Sequence, residues 1–249
     1  MPAEPTRKPL IQVLERAFDI LEILARRDTP MRATDIAKEL GLSLQTTGNL
    51  LRTLYERGYL SQDAKRFYRL GGQCFYLGSY ADRWKKLRKA ADRAIPELCK
   101  ATGLLVFVGV IESDKLFCIS LRSGSELDPP SQRWADELHS TASGRLLLAG
   151  LSPEERKKLL ARTLRKKTRK TVTNPDQLER ICQTIQKQGF AEIHGESVEQ
   201  IHSIAVPIRN RDGKIIAALA LSGGDSDWKQ TSRKEKLNLM IRTANAIQL

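Results

Sequence analysis

Long apolar runs are missing from this 249-residue chain, and no stretch approaches the roughly 18 uninterrupted apolar residues of a transmembrane helix. The first nine residues are polar and proline-rich and carry no signal-peptide core, so a soluble, cytoplasmic protein is expected. Cysteine is sparse. Cys74, Cys99, Cys118 and Cys182 stand far apart without a CxxC pair, which argues against a zinc framework or a disulfide scaffold and predicts free, mostly buried thiols. Histidine is sparser still: His139, His194 and His202. There is no HExxH metal motif, GxSxG elbow, Walker A loop or dinucleotide fingerprint. No catalytic residue, metal ligand or cofactor is therefore assigned.

Positive charge, by contrast, is plentiful. Lys and Arg number 42 against 29 Asp and Glu, a net +13, which favours a polyanionic partner. The excess is not concentrated: residues 1–86 hold 15 Lys/Arg against 10 Asp/Glu, a net +5. The Lys/Arg-rich stretch at 156–170 reads as a solvated helix face and loop. Charge alone raises the case for nucleic acid only modestly.

Hydrophobic periodicity divides the chain into two textures. Residues 1–9 read as disordered. Residues 10–25 repeat apolar side chains at helical spacing, with Val13, Leu14, Ala17, Phe18, Leu21 and Leu24 among them. A short helix follows at 34–40, stopped by Gly41, and Ser43 caps a third that reaches Arg57 and ends at Gly58. A hairpin with a basic tip at Lys65 and Arg66 comes next, closed by Gly71-Gly72. Residues 73–101 are helical in pattern, with Pro96 expected to break a linker helix (73–92) from the next one. After Gly103 the chain reads as four to six strands with helices, joined by turns that favour antiparallel pairing. Residues 123–137 form a polar loop. Ser152-Pro153-Glu154-Glu155 and Asn174-Pro175 each open a helix, and Asn210-Arg211-Asp212-Gly213 is a hairpin turn. The fold class is thus α+β, divided as 1–9, 10–72, 73–92 and 93–249.

Helix, short helix, Gly41-Leu42-Ser43 turn, helix and basic hairpin is the order of a winged helix-turn-helix. Its second motif helix lies in the major groove with N-terminal residues at base edges. Gln45 and Asn49 suit adenine and Arg52 suits guanine. Ser43, Thr46 and Thr47 suit phosphates, with Thr34 on the preceding helix, and Lys65 and Arg66 suit the flanking backbone. The expected partner is double-stranded operator DNA.

Over almost its whole length the chain resembles the IclR-type bacterial transcription regulators. The stretches that carry this are VLERAFDILEIL, ATDIAKELGLSLQTTGNLLRTLYERGYL, RFYRLG, LHSTASGRLLLAGLSPEE and HSIAVPIRNRDGKIIAALALSGG. The resemblance implies a winged-helix domain, a linker helix and a GAF-like effector domain. It also implies a homodimer built through the winged helices, tetramers in some members, and a small organic effector, often a carboxylate or aromatic metabolite, that controls catabolic genes. Two departures stand out. Gly48-Asn49 replace a bulky residue followed by Arg or His, and Ile193 and Ser203 replace the acidic and thiol contacts of some members.

Residues 140–144 are small and precede a helix, whose first N–H groups would suit a carboxylate. The expected effector set is Phe107, Ala142, Ser143, Gly144, Ile193, Ser203, Ala220 and Ser222, with Ile204 as a further liner of the facing wall. The blander alternative is that these small residues only permit close helix–sheet packing behind an ordinary N-cap. Two other functions stay open: a hydrolase using Ser143 with His139, and a non-specific nucleic-acid binder. A metal site built from His194 and His202 with Glu192, Glu196 and Glu199 matches no known spacing.

Overall fold

The computed structural model describes residues 11–27, 29–81, 83–124, 126–127, 137–230 and 232–247. The expected disordered segment 1–9 and most of the loop 123–137 lie outside them. The chain divides into two compact units, Met1–Arg83 and Trp84–Leu249.

The first unit contains α1 (Gln12–Arg26), α2 (Ala33–Leu40), α3 (Leu44–Glu56), β1 (Leu60–Gln62), β2 (Tyr68–Leu70) and α4 (Gly72–Ala81). Its turns follow from local chemistry. Gly41 adopts φ +63°, which lets its N–H reach back to the Ala37 carbonyl and stops α2. Ser43 then accepts the Thr46 N–H at 3.1 Å, satisfying one orphan donor of α3. Ile20, Ile23, Leu24, Met31, Ile36, Leu51 and Leu60 form the core. Met31 exchanges both backbone hydrogen bonds with Tyr68, pairing a residue ahead of α2 with β2 of the wing. The apolar pattern of α1 is split between two faces. Ile20, Ile23 and Leu24 are buried, whereas Val13, Leu14 and Phe18 are exposed.

The second unit opens with α5 (Lys85–Thr102). The expected break at Pro96 does not occur. The helix runs through the proline, and the interruption falls instead between Ala81 and Lys85. Packing explains this: Leu87, Ala91, Ile95, Leu98, Cys99 and Thr102 form one buried stripe spanning Pro96. Burying that stripe outweighs the one ladder bond the proline removes. The 73–92 segment is accordingly not a single linker helix.

Six strands follow: β3 (Leu105–Glu112), β4 (Lys115–Ser123), β5 (Glu126–Leu127), β6 (Ala191–His194), β7 (Ile201–Arg209) and β8 (Ile215–Gly224). They form one antiparallel sheet in the order β5-β4-β3-β8-β7-β6. α6 (Ala142–Gly150), α7 (Pro153–Leu160) and α8 (Pro175–Gln188) cover one face, and α5 and α9 (Arg233–Ala246) cover the other. Period-two alternation sorts the side chains. Val106, Val108, Ile204, Val206, Leu219 and Leu221 face α5 and α9, while Ala191, Ala205, Ala218 and Ala220 face α6. The alanines let α6 approach closely. Ser152 makes the full capping box with Glu155, and Asn174 caps α8 as its sequence predicts. Cys99, Cys118 and Cys182 are buried, Cys74 is half-buried, and none of the four is in a disulfide.

Candidate nucleic-acid interface and effector face

α3 carries two opposed stripes. Thr47 and Leu51 are buried with Leu50 and Leu54 partly covered, whereas Gln45, Gly48, Asn49 and Arg52 are exposed at i, i+3, i+4 and i+7. The hydrophobic stripe seats the helix on the core and thereby aims the polar stripe outward. Ser43 is exposed, and its hydroxyl lies 2.8 Å from that of the half-buried Thr46. Thr34, on the first turn of α2, is exposed too. Thr47 departs from expectation. Its side chain is fully buried, with the hydroxyl donating to the Ser43 carbonyl at 3.0 Å. It packs the helix and is withdrawn from the contact set.

The wing tip is organised by Asp63, whose Oδ1 accepts the N–H groups of Lys65 and Phe67, both at 2.9 Å. Arg66 takes the left-handed conformation at φ +63°. The turn leaves both Lys65 and Arg66 exposed.

In the second unit the sheet register assembles most of the expected effector residues. Ile193, Ser203, Ser222 and Leu105 are successive partners across β6, β7, β8 and β3. The next row on that face is Ala191, Ala205, Ala220 and Phe107. Ser203 donates to Ser222 at 2.8 Å, placing a hydroxyl pair in an otherwise apolar surface. Ile204 is corrected: it points to the opposite face, against α5 and α9.

The α6 start is more closed than its sequence implies. Thr141 is the N-cap, and its hydroxyl already accepts the Gly144 N–H at 3.1 Å. Ala142, Ser143 and Gly144 are buried, and a Cβ on Gly144 would lie 2.3 Å from the Leu138 carbonyl oxygen. Gly144 is thus required for close approach, and its N–H is not free for a carboxylate. Ser143 Oγ is buried without a hydrogen-bond partner among the described residues. His139 does not pair with it; its Nε2 lies 3.0 Å from the Arg165 carbonyl instead. Two cavities of about 540 Å³ lie elsewhere, one between α6, α8 and the β7–β8 turn and one at the β6 edge, where Ile193 is a wall.

A recessed helix start, an outward polar stripe on α3 and a basic wing agree with the comparison to known families. The IclR helix-turn-helix domain matches residues 13–64, and the bacterial transcriptional regulator IclR C-terminal domain matches residues 80–249. The chain belongs to the IclR family. It is a DNA-binding transcriptional regulator with a C-terminal effector-binding domain. Similar curated proteins include the transcriptional regulator XynR of Escherichia coli, 31% identical over 218 residues and 86% of each chain. The glycerol operon regulatory protein of Streptomyces coelicolor is 31% identical over 220 residues, covering 86% of this chain and 85% of its own. Among solved structures, IclR of Thermotoga maritima aligns with TM-score 0.73 and 26% identity over 95% of this chain and 97% of that one. A Microbacterium hydrocarbonoxydans IclR homologue complexed with 4-hydroxybenzoate shares the fold at TM-score 0.73 and 24% identity, covering 94% and 97%.

Two features of this IclR-family chain escape a sequence reading. Arg145, inside the apolar run of α6, is buried and forms a bidentate ion pair with Glu196. A charged residue within LLLA-type sequence was the available signal. Arg156 is the other: it leaves the expected solvated face, is buried, and pairs with Glu179 on α8 at 2.7 Å. Its guanidinium also donates to the Leu148 and Leu151 carbonyls. Among the described residues, no helix is long and apolar enough to cross a membrane.

Proposed function

We propose that the chain is an effector-responsive repressor of a metabolic operon that binds its operator as a homodimer. The exposed Gln45–Asn49–Arg52 stripe carries this reading. Each of these side chains has the donor pattern for one base edge, and Ser43, Thr46, Thr34, Lys65 and Arg66 surround them with phosphate-directed groups. Dimerisation is supported by apolar residues that the first unit leaves uncovered: Val13, Leu14 and Phe18 on α1, and Phe75 and Tyr80 on α4.

The effector is a small acid or hydroxylated aromatic metabolite. The Ser203–Ser222 hydroxyl pair offers polar recognition beside the apolar Ile193, Ala220 and Phe107. Ala142, Ser143 and Gly144 form the rear of this site, with the unpartnered Ser143 hydroxyl as a further donor. The 4-hydroxybenzoate bound by the Microbacterium homologue has the chemistry such a lining would take. The ligand is sensed, not turned over: among the described residues no base pairs with Ser143, and His139 is engaged with the Arg165 carbonyl instead.

Fluorescence anisotropy on DNA from upstream of its own gene, against a scrambled duplex, tests the reading. Operator binding about 10³-fold tighter, retained between about 50 and 200 mM salt, is expected. Equal affinities that collapse together with salt would mean that only phosphate charge is read.

A further inference from the structure

His194 and His202 face each other directly across β6 and β7, and their ring centroids are 3.6 Å apart. The chain turn beyond β8 brings Asp225 to them, with its Oδ1 3.2 Å from His194 Nε2. One ligand atom from each of the three lies within 4.8 Å of the others. From these observations we infer that His194, His202 and Asp225 form a site for a divalent transition-metal ion of the zinc class.

Donor chemistry selects the ion. Two imidazoles and one carboxylate suit zinc and its neighbours, whereas calcium and magnesium require an all-oxygen shell. A tetrahedral zinc with bonds of about 2.0–2.1 Å needs donors roughly 3.3 Å apart. The His194–Asp225 separation of 3.2 Å already meets that spacing. The remaining approach is within reach of a side-chain rotation, because His194 and Asp225 are half-exposed at 47% and 49%. Three protein donors leave one position for water or an exogenous ligand.

The backbone holds the donors in place. The Asp225 N–H donates to the Gln200 carbonyl at 3.2 Å, and Gln200 sits in the left-handed region at φ +63°. The hairpin between the two histidine strands is thereby tied to the turn carrying the carboxylate. Trp228 packs edge-on against His202 at 5.4 Å, limiting the imidazole's movement. His202 Nδ1 is buried and has no hydrogen-bond partner among the described residues. A buried polar atom of that kind calls for a partner, and a bound ion is one.

The site borders the effector face. Along β6 and β7, His194 and His202 alternate with Ile193 and Ser203, and at the β6 edge one cavity is lined by His194, His202 and Ile193 together. The sequence had placed the histidines with Glu192, Glu196 and Glu199. Glu192 instead pairs with Arg233 and Glu196 with Arg145, and the carboxylate that lies within reach of both histidines is Asp225, a residue outside that set.

The test is zinc competition against a chromophoric chelator, using tag-free full-length protein, followed by the visible absorption of the Co²⁺ form. Wild type is expected to take up a single ion per chain with cobalt bands of a low-symmetry nitrogen–oxygen site. His194→Ala, His202→Ala and Asp225→Asn should each weaken uptake by about tenfold or more. Quenching of tryptophan fluorescence by Cu²⁺ should be lost in Trp228→Phe while zinc uptake remains. Circular dichroism establishes that each variant is folded. No uptake by wild type, or uptake by His194→Ala and His202→Ala equal to that of wild type, would overturn the assignment and leave the cluster a hydrogen-bonded His–Asp pair.

Discussion

Arg145 on α6 and Glu196 beyond β6 meet in a two-pronged ion pair, with Arg145 Nη1 2.8 Å from Glu196 Oε1 and only 3% of the arginine exposed. The same guanidinium donates through Nε to the His139 carbonyl at 2.6 Å, and Glu196 also accepts the Val172 N–H at 3.3 Å. One buried pair therefore ties together the turn before α6, the segment before α8 and the sheet edge. Removing one partner leaves a charge stranded in a low-dielectric interior.

Glu196→Ala and Arg145→Ala are each expected to cost about 3–5 kcal/mol of second-unit stability. Replacing both together with apolar residues should cost markedly less than the two added. A double-mutant cycle on urea midpoints measures this, and strict additivity would show that the pair carries no coupling.

On α3, Asn49→Ala and Arg52→Ala should each cost about 1–3 kcal/mol of operator affinity and relax discrimination at one base position. Lys65→Ala should instead weaken all duplexes alike and lower the salt slope by about one. Thr47→Ala should leave base discrimination unchanged and lower the melting temperature of the first unit, because that side chain is buried. Anisotropy titrations across a salt series separate the three outcomes.

Two glycines should respond in opposite directions. A Cβ on Gly144 meets backbone at 2.3 Å, so Gly144→Ala is expected to destabilise by about 1–3 kcal/mol or more. A Cβ on Gly48 meets nothing within 4 Å and sits inside a helix, so Gly48→Ala should stabilise the free protein by about 0.5–1 kcal/mol. Thermal melts of both variants decide it.

His139 makes the second unit sensitive to acid. Burial, foremost, and the nearby Arg145 charge hold its pKa below the ordinary value of 6.5, against the opposing pull of the Arg165 carbonyl, Glu137 and Glu196. The folded state binds this proton less readily than the unfolded chain. The contribution is therefore complete above the unfolded pKa and is lost as pH falls through the folded one. Urea midpoints should drop between about pH 7.5 and 5.5, and His139→Gln should flatten that slope. An unchanged slope in the variant would assign the acid sensitivity to other groups.

What could be read from the sequence is what local chemistry decides. The caps at Ser43, Ser152 and Asn174, and the left-handed stop at Gly41, each rest on hydrogen bonds spanning only three or four residues. Element order, the winged helix-turn-helix and the antiparallel second unit follow from them. The sequence puts Ser203, Ala220 and Ser222 on one wall but adds Ile204 to them, and strand alternation turns Ile204 to the opposite face. Other features depend on which distant segments meet. β6 is four residues long, too short for its pattern to announce a strand, and exists because β7 pairs with it. α5 continues through Pro96 because the sheet and α9 reward an unbroken apolar stripe, a gain invisible to local propensity. Val13, Leu14 and Phe18 share the apolar spacing of a core stripe, yet only the packing of Ile20, Ile23 and Leu24 shows which stripe the unit buries. Sequence fixes the donors and acceptors each residue offers. Tertiary structure chose Glu196 for Arg145 and Asp225 for His194, because long-range partners are set by sheet register and turn geometry rather than by spacing along the chain.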